Sequence, residues 1–243
     1  MSFRSLLAIA VLTTSAVSAW AAPITPNSHY FGTLADVNFG GTGIPNDAVA
    51  FSNGRSLFGN VTVGLTAHQR DDAPALTNDG DGTFYAQAGV SSHAPSPSAP
   101  YALWNFGFYA SGAAAYRLTY DFDPAADNDK SEHGWFTLIS SQNSLNLGMD
   151  FLDWNFPLVI SEPDFDWFDP MAIGEYTFEL TAYTLFGNVS TAIKVVVADA
   201  PSNDVPEPAS LALVGIALIG LAASRRRKVW GATFQTEDRT KNL

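Results

Sequence analysis

Two runs of alternating residues constrain this chain more than any other feature. Gly174 to Tyr183 (GEYTFELTAY) places Tyr176, Phe178, Leu180 and Ala182 on one side and Glu175, Thr177, Glu179 and Thr181 on the other. Val189 to Val197 repeats the pattern with Ile193, Val195 and Val197, and Phe186-Gly187-Asn188 separates the two runs. Side chains along a strand point to opposite faces in turn, so a period of two with aromatic and branched residues on one side marks a half-buried strand. Two such strands around a Gly-Asn turn predict an antiparallel hairpin. One apolar face needs a second layer to cover it, and the rest of the chain offers strands for that purpose.

Ser56 to Thr66 alternates Leu57, Gly59, Val61, Val63 and Leu65 against small or polar partners and reads as one strand. Thr83 to Val90 and Trp135 to Ile139 read the same way, and Ala115 to Phe122 aligns Tyr116, Leu118, Tyr120 and Phe122. Pro23 to Gly54 is rich in Gly, Asn and Pro, with apolar islands at Tyr30-Phe31 and Val37–Phe39, which fits an early strand and loops. Asp71 to Gly82 is a polar turn region, and the prolines of Ala94 to Pro100 (APSPSAP) forbid a central strand. No helical stripe is visible between Ala22 and Asp204. The expectation is an all-β domain over residues 22–198, an Ig-like or jelly-roll-type β-sandwich.

The ends have a different character. Arg4, the apolar stretch Leu6 to Leu12 and the Ala19-Trp20-Ala21 site make residues 1–21 a secretory signal peptide, the substrate of a signal peptidase, with cleavage after Ala19 as the competing position. Residues 199–208 form a linker that ends in a Pro-Glu-Pro motif. Residues 209–228 follow as a short apolar helix and a basic block, and residues 229–243 as a loose tail. The apolar run Ala209 to Ala223 would be about 22 Å long as a helix, short of the roughly 30 Å hydrocarbon core unless flanking arginines reach outward. It fits a weak or temporary transmembrane segment. Arg225, Arg226, Arg227 and Lys228 would stay cytoplasmic and leave the β domain outside.

Charge narrows the partners. Between Ala22 and Asp204, 21 Asp and Glu stand against Arg55, Arg70, Arg117, Lys130 and Lys194, a net charge of −16. Such a domain repels nucleic acid and anionic lipid. The chain has no cysteine, which excludes thiol catalysis, disulfides and cysteine-held zinc. Stability must come from the core, for which 17 Phe, 8 Tyr and 6 Trp provide material.

The C-terminal segment resembles the PEP-CTERM sorting signal of Gram-negative bacteria that make extracellular polysaccharide. The resemblance runs through Val205-Pro206-Glu207-Pro208, the apolar run and the block Arg225 to Lys228. It implies recognition of Pro206, Glu207 and Pro208 by an exosortase, passage through the inner membrane, and attachment or release at the outer surface or extracellular matrix. It also implies a link to exopolysaccharide and biofilm. Two prolines resist helix and would hold the motif extended just above the membrane. The segment Ser141 to Gly148, with Tyr120 to Pro124 and the hairpin, is also similar to extracellular domains found among such proteins, which carry no assigned chemistry.

Candidate chemistry in the domain falls into three groups. Asn78 to Gly82 contributes Asp79 and Asp81 to a partial oxygen-ligand loop, but Thr77 and Ala88 occupy the end positions of the helix-loop-helix calcium pattern. Asp121 and Asp123, with Asp127 and Asp129, form a second candidate calcium cluster, and Asp164, Asp166 and Asp169 a third; no other cofactor is indicated. For catalysis, His29, His68, His93 and His133 lie in loop-like surroundings without zinc spacing, and no nucleophile elbow or phosphate loop is present. The aromatic residues Trp154 and Trp167, with Phe165, Phe168 and Trp104, sit among Asp, Asn and Pro, as sugar-stacking residues do. Asp150 to Asp169 is the stretch of interest. The expected function is a non-enzymatic structural or adhesive matrix protein, with a carbohydrate-binding module as the alternative and a surface hydrolase behind it.

Overall fold

The computed structural model describes residues 22–70, 75–93, 100–112 and 114–199. In chain order its strands are β1 (Tyr30–Gly32), β2 (Val49–Ser56), β3 (Gly59–Gln69), β4 (Thr77–Asn78), β5 (Thr83–Gln87), β6 (Trp104–Ser111), β7 (Ala115–Tyr120), β8 (Gly134–Thr137), β9 (Gln142–Leu145), β10 (Ile160–Ser161), β11 (Gly174–Tyr183) and β12 (Val189–Ala198). They form a five-stranded sheet, β1-β2-β3-β6-β9, and a seven-stranded sheet, β10-β8-β7-β11-β12-β5-β4. Neighbours are antiparallel except β5 and β12, which pair in parallel from Thr83 opposite Lys194 to Gln87 opposite Ala198. Among the described residues the only helical turns are 3-10, Lys130–Glu132 and Asp150–Asp153.

The hairpin forms as its alternation requires. Gly174 lies opposite Val197 and Ala182 opposite Val189, with Tyr176, Phe178, Leu180, Ile193, Val195 and Val197 all buried. β3 lies beneath β11 and β12 and supplies Val61, Val63 and Leu65 to the interior. The two sheets meet through rings. Phe106 of β6 and Phe178 of β11 stack at 4.5 Å between centroids, and Trp104 meets Tyr176 and Phe178 at 5.8 and 6.2 Å. Such pairs add about 0.5–1.5 kcal/mol each beyond the area they bury.

Three expectations are corrected. Ser56 to Thr66 is not one strand. Ser56 pairs with Gly59 across a two-residue turn, Leu57 and Phe58 are exposed, and the Ser56 hydroxyl accepts from the Phe58 amide at 3.3 Å. Residues 104–111, read as part of no strand, form β6, which lies between β3 and the edge strand β9 of the five-stranded sheet. Their alternation is hidden because both faces are covered. The outer face at Gly107 meets Phe39, whose backbone turns at φ 48° and whose amide donates to Gln142 Oε1 at 3.0 Å. Finally, Thr177 and Thr181, which the alternation places on the polar side of β11, are buried. Residues 22–27 cross that outer face, with Asn27 exchanging backbone hydrogen bonds with Ala192, and His133 covers Thr177.

Candidate functional site

The stretch from Asp150 to Asp169 lies in the long connection between β9 and β11. Its local shape follows from alternating anchors. Leu152 is fully buried, and its carbonyl accepts from the Tyr120 hydroxyl. Phe168 packs edge-on against Trp104 at 6.3 Å and against Tyr176 at 5.5 Å. With Phe168 held inward, its neighbour Trp167 is thrown outward and is 69% exposed. Between the anchors opens a cleft of about 410 Å³, lined by Phe122, Leu147, Asp150, Asp153, Trp167 and Asp169 among others. Apolar clefts with a few convergent polar groups are the usual form of small-ligand sites.

The acids of this cleft differ in how far they are committed. Asp169 Oδ1 accepts from the Met171 amide at 2.9 Å. The side chains of Asp150 and Asp153 make no hydrogen bond or ion pair among the described residues. Burial, followed by repulsion from Glu162 and Asp150, holds the Asp153 carboxyl above its ordinary range. Trp154 closes the 3-10 turn, is 60% exposed and stands outside the cleft lining. Of the other aromatic candidates Phe165 is exposed, whereas Trp104 and Phe168 are core residues.

The acidic turn candidates are occupied by local hydrogen bonding. Asp79 Oδ1 accepts from the amides of Asp81 at 2.8 Å and Thr83 at 3.0 Å. Slight burial pushes the Asp79 carboxyl up, but those hydrogen bonds outweigh it and the net shift is downward. Asp81 is exposed on the same turn. Asp123 Oδ1 accepts from the Ala125 amide at 2.9 Å. Among the described residues no three His, Asp or Glu side chains gather in an arrangement able to hold a metal.

Asp121 has a different environment, which sequence spacing did not reveal. It is buried, and its Oδ2 lies 3.4 Å from Nε2 of buried His133. His133 Nδ1 is 3.0 Å from the Asp129 carbonyl, so that nitrogen carries the proton. In the neutral ring Nε2 is then an acceptor, facing the Thr177 hydroxyl at 2.8 Å and Asp121 Oδ2. A charged Asp121 would set two acceptors against each other. Burial, its main cause, pushes the Asp121 carboxyl up to about 7 and the His133 imidazole down. The pair is sealed beneath the surface and serves as an internal polar brace. His68, also assigned to a loop, is a buried β3 residue whose Nε2 meets Ser144 Oγ at 2.8 Å.

Residues 204–228 match the model of the PEP-CTERM protein-sorting motif. The match contains Val205, Pro206, Glu207 and Pro208 and the basic block Arg225, Arg226, Arg227 and Lys228, all of which lie outside the described residues, as does the N-terminal signal segment. No curated protein and no solved structure matches the chain. Among the described residues no helix is long and apolar enough to cross a membrane. The chain carries a PEP-CTERM sorting signal, which marks it for export and for membrane-associated sorting by an exosortase.

Proposed function

We propose that this chain is a structural or adhesive component of the extracellular matrix, delivered to the outer surface or matrix of a Gram-negative bacterium after processing of its C-terminal signal. The observation that carries this reading is the sorting motif at residues 204–228, which marks for export a β-sandwich with an aromatic core. Among the described residues the buried His–carboxylate pair, Asp121 and His133, faces Thr177 rather than an open cleft, which supports a non-enzymatic role. Fractionation of a producing culture tests the proposal. The protein is expected in the cell-free polysaccharide matrix, and loss of the gene is expected to weaken that matrix. Recovery wholly in the soluble medium, with an unaltered matrix, would refute it.

A second reading, carbohydrate binding, is favoured by the Trp167 cleft with its unspent carboxylates. A glycan array probed with the purified chain, with and without calcium, tests it. Binding seen only with calcium would favour the exposed turn of Asp79 and Asp81 over the sealed Asp121. Failure to bind under either condition would end this reading.

A further inference from the structure

We infer that the Trp167 cleft takes uncharged or amine-bearing sugar units and rejects uronic acid units, an inference that rests on the carbohydrate reading above. The floor and one wall of the cleft are built from core residues. Its floor contains Phe122 and Leu147, both part of the buried core, and its wall is fixed by Phe168, which is wedged against Trp104, Phe122 and Tyr176. A preformed wall spares the ligand the cost of ordering it. Trp167 offers a broad ring to solvent at the rim, and the axial C–H groups of a pyranose are an apolar surface suited to such a ring. A volume of about 410 Å³ accommodates a short oligosaccharide and lies within the roughly 300–1,000 Å³ of small-ligand clefts.

The polar groups decide which sugar fits. Asp150 and Asp153 have no internal partner among the described residues, so their oxygens are available to accept hydrogen bonds. Sugar hydroxyls donate such bonds, and an ammonium donates them with charge assistance. Among the described residues no Lys or Arg belongs to the lining, so a carboxylate on the ligand would meet three acids and no cation there. Burial, then repulsion from Glu162 and Asp150, raises the Asp153 carboxyl, and an ammonium placed beside it would offset that repulsion. The net charge of −16 between Ala22 and Asp204 acts in the same direction at longer range.

Calorimetric titration of the full chain with glucose, glucosamine and galacturonic acid oligomers of equal length tests the inference. The glucose and glucosamine oligomers are expected to bind, glucosamine about tenfold tighter at pH 6 and low salt, while the galacturonic acid oligomer does not. Trp167→Ala, an exposed position whose folding a thermal melt checks, is expected to weaken both by at least tenfold. Asp150→Asn with Asp153→Asn is expected to bring the glucosamine and glucose affinities within about threefold of each other. Galacturonate binding as tight as glucose, or sugar binding indifferent to Trp167→Ala, would overturn the cleft inference and leave the carbohydrate reading standing. Silence of every sugar, here and on the array, would overturn both.

Discussion

Asn146 and Ala102 exchange a pair of hydrogen bonds. The Ala102 amide donates to Asn146 Oδ1 at 2.9 Å, and Asn146 Nδ2 donates back to the Ala102 carbonyl at 3.1 Å. A side-chain amide thereby imitates a rung of a β-ladder just before β6 begins. The same fully buried side chain also reaches the Trp104 carbonyl and Asn105 Oδ1, both at 2.8 Å, and accepts from the Gly148 amide at 3.1 Å. Leu147 and Gly148, which follow it, line the Trp167 cleft. Asn146 therefore ties the cleft floor to β6, an interior strand of the five-stranded sheet.

Asn146→Ala should strand several of these groups without water or partner. Each buried unsatisfied group costs about 1–3 kcal/mol, so a loss of about 3 kcal/mol is expected after partial relaxation. Urea unfolding would show a lower midpoint with an unchanged slope. A loss below about 1 kcal/mol would mean that the clamp is dispensable.

The Asp121–His133 pair makes stability depend on pH. The folded-state value of Asp121, about 7, lies above its ordinary 3.8, so the folded chain keeps a proton that the unfolded chain releases. The Asp121 contribution is whole below about pH 4 and is lost as pH rises through about 7. His133, held below its ordinary 6.5, acts in the opposite sense: its contribution is present above that value and lost as pH falls. Asp121→Asn keeps the Oδ1 acceptor used by the Asp123 amide and puts a permanent donor opposite His133 Nε2. Relative to the native chain, the variant should gain steadily from pH 4 to 7, by more than about 1 kcal/mol at pH 8. Thermal melts that stay parallel across this range would contradict a proton retained on folded Asp121.

Two tryptophans should respond oppositely. Trp104, 2% exposed among Phe168, Tyr176 and Phe178, is a core ring, and Trp104→Ala is expected to cost about 3–5 kcal/mol. Trp167→Ala, at an exposed rim, should change stability by less than about 0.5 kcal/mol. Chemical denaturation of both variants separates the core from the surface role.

Gly134 is a packing constraint rather than a turn residue. A β-carbon there would stand 2.6 Å from Tyr120 Cζ and 2.8 Å from Pro163 Cδ. The Tyr120 hydroxyl is tied to the Leu152 carbonyl, so its ring has little room to retreat. Gly134→Ala should destabilise by about 1–3 kcal/mol through overpacking. An unfolding midpoint equal to the native one would show that the ring moves freely.

The extent to which the sequence disclosed this arrangement followed the exposure of each strand. The β11–β12 hairpin was legible because one face is apolar and the other mostly polar, which gives Tyr176, Phe178 and Leu180 a clean period of two. β6 was illegible because Phe39 covers the face opposite the core at Gly107, and a strand covered on both sides loses its alternation. The turn at Leu57-Phe58 has two large apolar residues in place of turn residues, so the pattern ran through it unbroken. The parallel pairing of β5 with β12 joins segments more than a hundred residues apart, and no local pattern encodes such a contact. In the cleft, composition pointed to the Asp150 to Asp169 stretch. Which ring faces solvent depended on Phe168 reaching Trp104, and that is a tertiary fact.

The proposed matrix role depends on processing of the C-terminal signal, and Glu207 in the matched motif is the residue that tests it. Glu207→Ala should be compared with the native chain by membrane fractionation and by intact mass of the recovered protein. The native protein is expected outside the membrane fraction with a mass that shows cleavage within the matched segment. The variant is expected in the membrane fraction with residues 209–243 still attached. Release of the variant in the same amount, with the same cleaved mass, would contradict recognition of this motif.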